Sequence, residues 1–135
     1  MSHTLNWRFR HFDLFSASQW HAMLNLRGSI FVVEQTCPYL DPDGKDPDCW
    51  HLEGLLQGQL VACLRIAPPG AVYPELSIGR VAVTPDYRGQ GLGRETMVQS
   101  LAYSKALWPS ANIRLSGQAY LQEFYHSLGF TTVKG

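Results

Sequence analysis

Three glycines in five positions, Gly89, Gly91 and Gly93, stand between an apolar run (LSIGRVAV, residues 76–83) and a helical one (RETMVQSLAYSKALW, residues 94–108). A chain gives up side chains at such a place for one of two reasons. The backbone can need a tight turn with positive φ, which glycine adopts without strain. Alternatively the backbone itself must touch a ligand. N–H groups at a helix start have no helical acceptor and lie at the positive end of the helix dipole, so an anion that is not held off by Cβ atoms can reach them. The glycine segment alone fits either reading.

The rest of the chain places this segment. Leu5, Trp7 and Phe9 alternate with Asn6, Arg8 and Arg10 in LNWRFRHF, which predicts a half-buried strand. In SASQWHAMLNLRGSIFVVEQ, Ser16 and Gln19 fit a capping box, and Trp20, Met23, Leu24, Arg27, Ile30 and Phe31 come at helical spacing, with Gly28 as a weak point. Residues 35–48 (QTCPYLDPDGKDPD) hold three prolines, a glycine and four aspartates, and predict a long functional or mobile loop. WHLEGLL and QLVACLRI flank Gln57-Gly58 as a hairpin. LSIGRVAV is a further strand. The helix after the glycines presents Met97, Val98, Leu101 and Ala102 on one face. NIRLSG reads as a strand, YLQEFYHSLG as a short helix with Gly129 as its C-cap, and FTTVK as a last strand. The order β, α, loop, β, β, β, α, β, α, β predicts a single α/β domain over residues 1–135, with a mixed sheet built from an antiparallel region and βαβ-like units.

Composition narrows the function. The 11 basic and 11 acidic residues cancel, so no basic excess argues for nucleic acid. No apolar stretch approaches a membrane span of about 18 residues, and MSHTLNWRFR lacks the apolar core of a signal peptide. Cys37, Cys49 and Cys63 are an odd number without a CxxC pair, as expected of free thiols in a reducing cytoplasm. Cys37, Cys49 and His51 match no standard zinc spacing, and a fourth ligand is missing, so no metal is expected. Counted from Asp41, an EF-hand loop would need glycine where Asp46 stands. Cys63 sits in an apolar strand as a core residue.

The two common nucleotide motifs fail on the glycine segment. A P-loop needs Gly-Lys-Ser/Thr where this chain has Gly93-Arg94-Glu95. A Rossmann fingerprint needs its third glycine where Arg94 stands, and an acidic residue near the end of the next strand, where NIRLSG has none. A third pattern fits. Arg88-Gly89-Gln90-Gly91-Leu92-Gly93 resembles the Arg/Gln-x-x-Gly-x-Gly/Ala signature of the GNAT acyltransferase superfamily. FYHSLGF, residues 124–130, is similar to that superfamily's closing signature, a tyrosine four residues before Gly-Phe. IFVVEQTCPY and GQAYLQEFY resemble its ElaA-like subfamily, and the likeness covers nearly the whole chain. Two departures stand out. Gln118 occupies a position where the family often has Asn, seven residues before the tyrosine. GNAT domains also finish with one more strand than FTTVKG supplies. An end at Gly135 therefore predicts a sheet edge that is open or filled by another molecule, and makes a homodimer an expectation.

The resemblance implies the GNAT fold and acyl transfer from acetyl-CoA to an amine. It implies that the pyrophosphate of coenzyme A lies on Arg88, Gly89, Gln90, Gly91, Leu92, Gly93 and Arg94, through backbone N–H groups and added positive charge. The pantetheine arm would pair with the preceding strand at Val81, Ala82 and Val83, with the Val83 N–H as first choice for stabilising the thioester oxygen. Tyr125 would give a proton to the leaving thiolate; a phenol with pKa near about 10 can serve a thiol of about 8.5. An amine of pKa about 10.4 must lose a proton first, and Glu34, His51 and Glu75 are the candidate bases. The four loop carboxylates would favour a cationic acceptor, a small molecule or a protein amine, although a solvated proline-rich turn is the preferred explanation for them. The alternative to an enzyme is a coenzyme A binding or sensing module of the same fold.

Overall fold

The computed structural model describes residues 5–34 and 44–115. Five strands form one sheet in the order β1-β2-β3-β4-β5: β1 (Asn6–His11), β2 (Trp50–Leu56), β3 (Gln59–Ala67), β4 (Leu76–Val83) and β5 (Ile113–Leu115). The first three pairings are antiparallel, and β4 pairs β5 in parallel through Leu76–Ile113, Ser77–Arg114 and Ile78–Leu115. Helix α1 (Ala17–Gly28) lies between β1 and β2 in sequence, and α2 (Leu92–Leu107) between β4 and β5. This is the mixed α/β architecture expected. The expected helix YLQEFYHSLG, the strand FTTVK, Tyr125, Gln118 and Cys37 lie outside the described residues.

Several local expectations have a physical basis in the structure. Ser16 Oγ accepts from the Gln19 N–H at 3.2 Å, and Gln19 Oε1 accepts from the Ser16 N–H at 2.9 Å, completing the capping box. Arg10 of β1 donates to the same Gln19 oxygen at 3.0 Å, so the strand helps fix where the helix begins. Gln57 and Gly58 both have positive φ, 51° and 82°, as the tight hairpin turn between β2 and β3 requires. The α-winding of α1 stops at Gly28. Residues Ser29–Glu34 continue as a π-helix, with Ser29 Oγ donating back to the Leu26 carbonyl at 2.8 Å. Glycine, a back-bonding serine and the β-branched Ile30, Val32 and Val33 together explain why the tighter winding is not kept. The wider turn keeps Ile30 buried and leaves Val33 exposed.

The helices cover opposite faces of the sheet. Leu64 and Ile66 pack with Met97 of α2, whereas the neighbouring Cys63 packs with Met23 and Leu26 of α1 and with Ile30 of the π-helix after it. Successive strand residues point to opposite faces, so the two clusters are two layers of core. Leu26 is a buried contact of α1 that the helical spacing did not single out. The α2 expectation needs correction. Val98 is 48% exposed and Ala102 is exposed, while the buried face runs through Leu92, Thr96, Met97, Ser100 and Ser104. Thr96 Oγ1 donates to the Leu92 carbonyl at 2.6 Å and Ser100 Oγ to the Met97 carbonyl at 2.7 Å. A small side chain whose hydroxyl is satisfied by its own helix can be buried like an apolar one.

Gly54 marks a close approach. It lies opposite Trp7 in the β1–β2 ladder, and a Cβ there would come within 2.8 Å of Trp7 Cζ3 and 3.1 Å of Leu5 Cδ1. Replacing Gly54 by Ala should therefore lower stability by about 1–3 kcal/mol in urea denaturation, through displacement of the indole. An unchanged midpoint would contradict this packing.

Candidate active site

The glycine segment is held at the end of a strand that has been bent. Across from Cys63 and Arg65 the β3–β4 register shifts by one residue, and Arg80 has φ 53°. A non-glycine residue in that region is uncommon, and an extra residue in a ladder bends its strand. Beyond the bulge, the Thr84 N–H donates to the Val61 carbonyl at 2.8 Å. This makes Val83–Ala62 a non-hydrogen-bonded pair, so the Val83 N–H and C=O point away from β3, whereas Ala82 is in line to bond Cys63. Arg88 Nε confirms the direction by donating to the Val83 carbonyl at 3.0 Å. Side chains divide by face: Ala82 packs toward α1, and Val81 and Val83 pack toward α2.

After Val83 the chain makes a short 3-10 turn, Pro85–Tyr87, and then the glycine loop. Gly89 and Gly91 have φ 80° and 78°, and Gly91 is the N-cap of α2. These two glycines are needed for the turn whatever the site does. Gly93 differs. It lies inside the helix, and a Cβ built there meets no atom within 4 Å. Neither backbone conformation nor neighbouring packing asks for glycine at this position, where it costs helix stability. The first hydrogen bond of α2 runs from the Glu95 N–H to the Gly91 carbonyl at 3.0 Å. The N–H groups of Leu92, Gly93 and Arg94 thus precede the helical ladder. The Leu92 side chain is buried with Leu5 and Val61, while Arg88, Gly89, Gln90 and Gly91 are exposed. These N–H groups and glycines form the kind of cradle that a coenzyme's phosphates would need, with open space where a Cβ at position 93 would stand.

The other candidates are placed elsewhere. Glu75 precedes β4 at the strand end opposite the glycine loop, and pairs with Arg114 at 3.5 Å with both groups partly exposed. Glu34 is the last residue of the π-helix. His51 is fully buried, edge-on to Trp20 and Phe15. Its Nε2 lies 3.2 Å from the Asp46 carbonyl and must donate to it, so Nδ1 carries no proton in the neutral ring. Burial pushes its pKa down from 6.5 to about 4, against the smaller opposing effect of that hydrogen bond. His51 is thus a weak base without access to solvent.

The acidic loop is also corrected at one of its four carboxylates. Asp46 is buried, not presented to an acceptor. Arg27 of α1 holds it with two bonds, Nη1–Oδ1 2.9 Å and Nη2–Oδ2 3.3 Å, and Arg65 of β3 adds Nη1–Oδ1 at 3.2 Å. Asp48 is exposed, and Asp41 and Asp43 lie outside the described residues. A second buried carboxylate, Glu53, takes Arg8 at 3.2 Å and Arg10 at 2.5 Å. Sequence reading missed both arrangements, although charged residues inside otherwise apolar strands, Glu53 in WHLEGLL and Arg65 in QLVACLRI, were a visible signal. Cys49 and Cys63 are buried thiols outside any disulfide, and no group of three metal-ligating side chains occurs among the described residues.

The model of the acetyltransferase (GNAT) family matches residues 20–130. The chain belongs to the GNAT acetyltransferase family. Among curated relatives, a UPF0039 protein of Synechocystis is 43% identical over 130 residues, covering 96% of this chain and 84% of the relative. The protein ElaA of Escherichia coli is 40% identical over 131 residues, covering 96% and 86%. Among solved structures, an acyl-CoA N-acyltransferase from Pseudomonas aeruginosa superposes with TM-score 0.92 at 39% identity, covering 98% of this chain and 92% of that one. The crystal structure of E. coli ElaA has the same TM-score and identity, with 98% and 90% covered. The GNAT fold inferred from the two signatures, and the ElaA-like kinship inferred from IFVVEQTCPY and GQAYLQEFY, are thereby established. No helix among the described residues is long and apolar enough to cross a membrane.

The buried groups give two expected outcomes. Asp46→Asn should cost about 3 kcal/mol or more, because it takes from two buried guanidinium groups the carboxylate they share, while Asp48→Asn should change stability by less than about 0.5 kcal/mol. Equal effects in chemical denaturation would refute the assignment. His51 binds a proton more readily unfolded than folded. Its contribution to stability is fully present above pH 6.5 and is lost as pH falls through about 4, amounting to about 3 kcal/mol. An NMR titration should show the ring still neutral at pH 5; a midpoint near 6.5 would contradict the burial.

Proposed function

We propose that this GNAT protein is an N-acetyltransferase that moves the acetyl group of acetyl-CoA to a primary amine by direct transfer in a ternary complex. The observation that carries this reading is Gly93, a glycine with neither a conformational nor a packing reason within the chain. When bound, the coenzyme supplies an activated acetyl thioester. The chain's own groups supply the rest. Arg88 and Arg94 add positive charge near the phosphates, and the N–H groups from Gly89 to Arg94 receive them. The outward N–H of Val83 lies on the strand edge where a pantetheine amide can pair and where an oxyanion can be stabilised; Val81 and Ala82 shape that edge. Tyr125 holds the proton for the departing sulfur, and Glu34 is the base favoured for the amine. Burial of His51 and Asp46 supports leaving both out of these roles. The acceptor is a small-molecule or protein amine, and its cationic form suits the exposed Asp48.

Calorimetric titration with coenzyme A, followed by thiol release with an amine panel, tests the proposal. Gly93→Leu should weaken coenzyme binding at least about tenfold while leaving stability equal or higher, since leucine is the better helix former. Tyr125→Phe should lower turnover by at least about a hundredfold with binding intact. Tight binding without thiol release from any amine would instead favour a sensing module.

A further inference from the structure

The first turn of α2 carries a carboxylate, Glu95, at the helix end read above as an anion cradle. A glutamate there is favoured by the helix dipole, and the same field is what binds a phosphate. The two negative groups oppose each other unless the carboxylate is turned aside. The structure shows where it goes. Trp7 Nε1, on β1, donates to Glu95 Oε1 at 3.2 Å. The indole packs against both the main α2-side core and the cluster of Leu5, Val61 and Leu92, the first residue of α2. It can lie there because its ladder partner is Gly54, where a Cβ would come within 2.8 Å of the ring.

We propose that Trp7 is a positioning residue for coenzyme binding: its indole N–H holds the Glu95 carboxylate on the sheet side of α2, out of the phosphate cradle. This rests on the reading of the glycine loop as the coenzyme site. Gly54, Trp7 and Glu95 then form one device. The glycine makes room, the indole reaches across the sheet face, and the carboxylate keeps its stabilising place at the helix start without facing the ligand. Glu95 does not touch the coenzyme; its effect is through the field at the helix terminus.

The experiment is calorimetry with coenzyme A on the wild type, Glu95→Asp, Glu95→Gln, Trp7→Phe and the double variant Trp7→Phe/Glu95→Gln. Aspartate keeps the charge but is one methylene too short to hold the indole bond. It should weaken binding by about three- to tenfold at low salt, and the loss should shrink to within about twofold at 1 M salt, where charges are screened beyond about 3 Å. Glutamine removes the charge and should bind as tightly as wild type or more so. Trp7→Phe should bind like Glu95→Asp, and the double variant should recover to the level of Glu95→Gln. A purely structural role for Trp7 would give no such rescue. Wild-type affinity in Glu95→Asp, a loss in Glu95→Gln equal to that in Glu95→Asp, or a double variant as weak as Trp7→Phe would each overturn the proposal. Absence of coenzyme binding by folded wild type is a different failure: it removes the coenzyme reading itself, and this proposal with it.

Discussion

Strand β4 does not stay regular past Gly79. Arg80 takes a left-handed conformation, the ladder with β3 slips by one residue, and the strand leaves the bulge with its alternation reset. The geometry of the candidate site depends on that reset. It turns the Val83 N–H and C=O away from β3, it puts Thr84 in reach of the Val61 carbonyl, and it aims the chain into the turn that delivers the glycines to the start of α2. A strained residue inside a central strand persists only where its surroundings over-determine it. Here α1 and α2 pack on the two faces of that strand through Ala82 and Val81.

The chain is neutral overall, yet its charges are not spread evenly. Inside the α1 layer two carboxylates, Asp46 and Glu53, are each gripped by two arginines. On the other face Glu95 is held by an indole. The first two are buried ion pairs, whose worth lies more in fixing one arrangement than in net stability. Asp46 joins α1, the segment before β2, and β3, so it fixes the start of the sheet's second strand against the first helix. The third turns a carboxylate toward the sheet at the glycine-rich start of α2.

Much of this was legible in the residues, for identifiable reasons. The Ser16–Gln19 box, the Gln57-Gly58 turn and the alternation around Trp7 are short-range effects, and short-range effects are written locally. The glycine signature points to the family because a backbone requirement leaves its mark in one short segment. The buried face of α2 is not legible in the same way, because Thr96, Ser100 and Ser104 look polar, and Thr96 and Ser100 hide their hydroxyls in their own helix. The Asp46 and Glu53 pairings join residues far apart in the chain, and nothing in a local window tells a buried aspartate from a solvated one. The α-to-π change after Gly28 was visible only as a weak point, since the winding chosen depends on what Ile30 packs against. Among the site residues, Gly93 is the informative one. Gly89 and Gly91 need a structure to be recognised as turn glycines, and only then does Gly93 stand apart.

Whether the glycine loop and the outward edge of Val83 hold the coenzyme is decided by amide hydrogen exchange with and without coenzyme A. Exchange should slow at Gly89 through Arg94 and at Val83, with Ala82 unchanged because it is already bonded toward β3. Amides around Asp46 and His51 should not change. Protection centred on the Asp46 segment, with the glycine loop unaffected, would contradict the assignment.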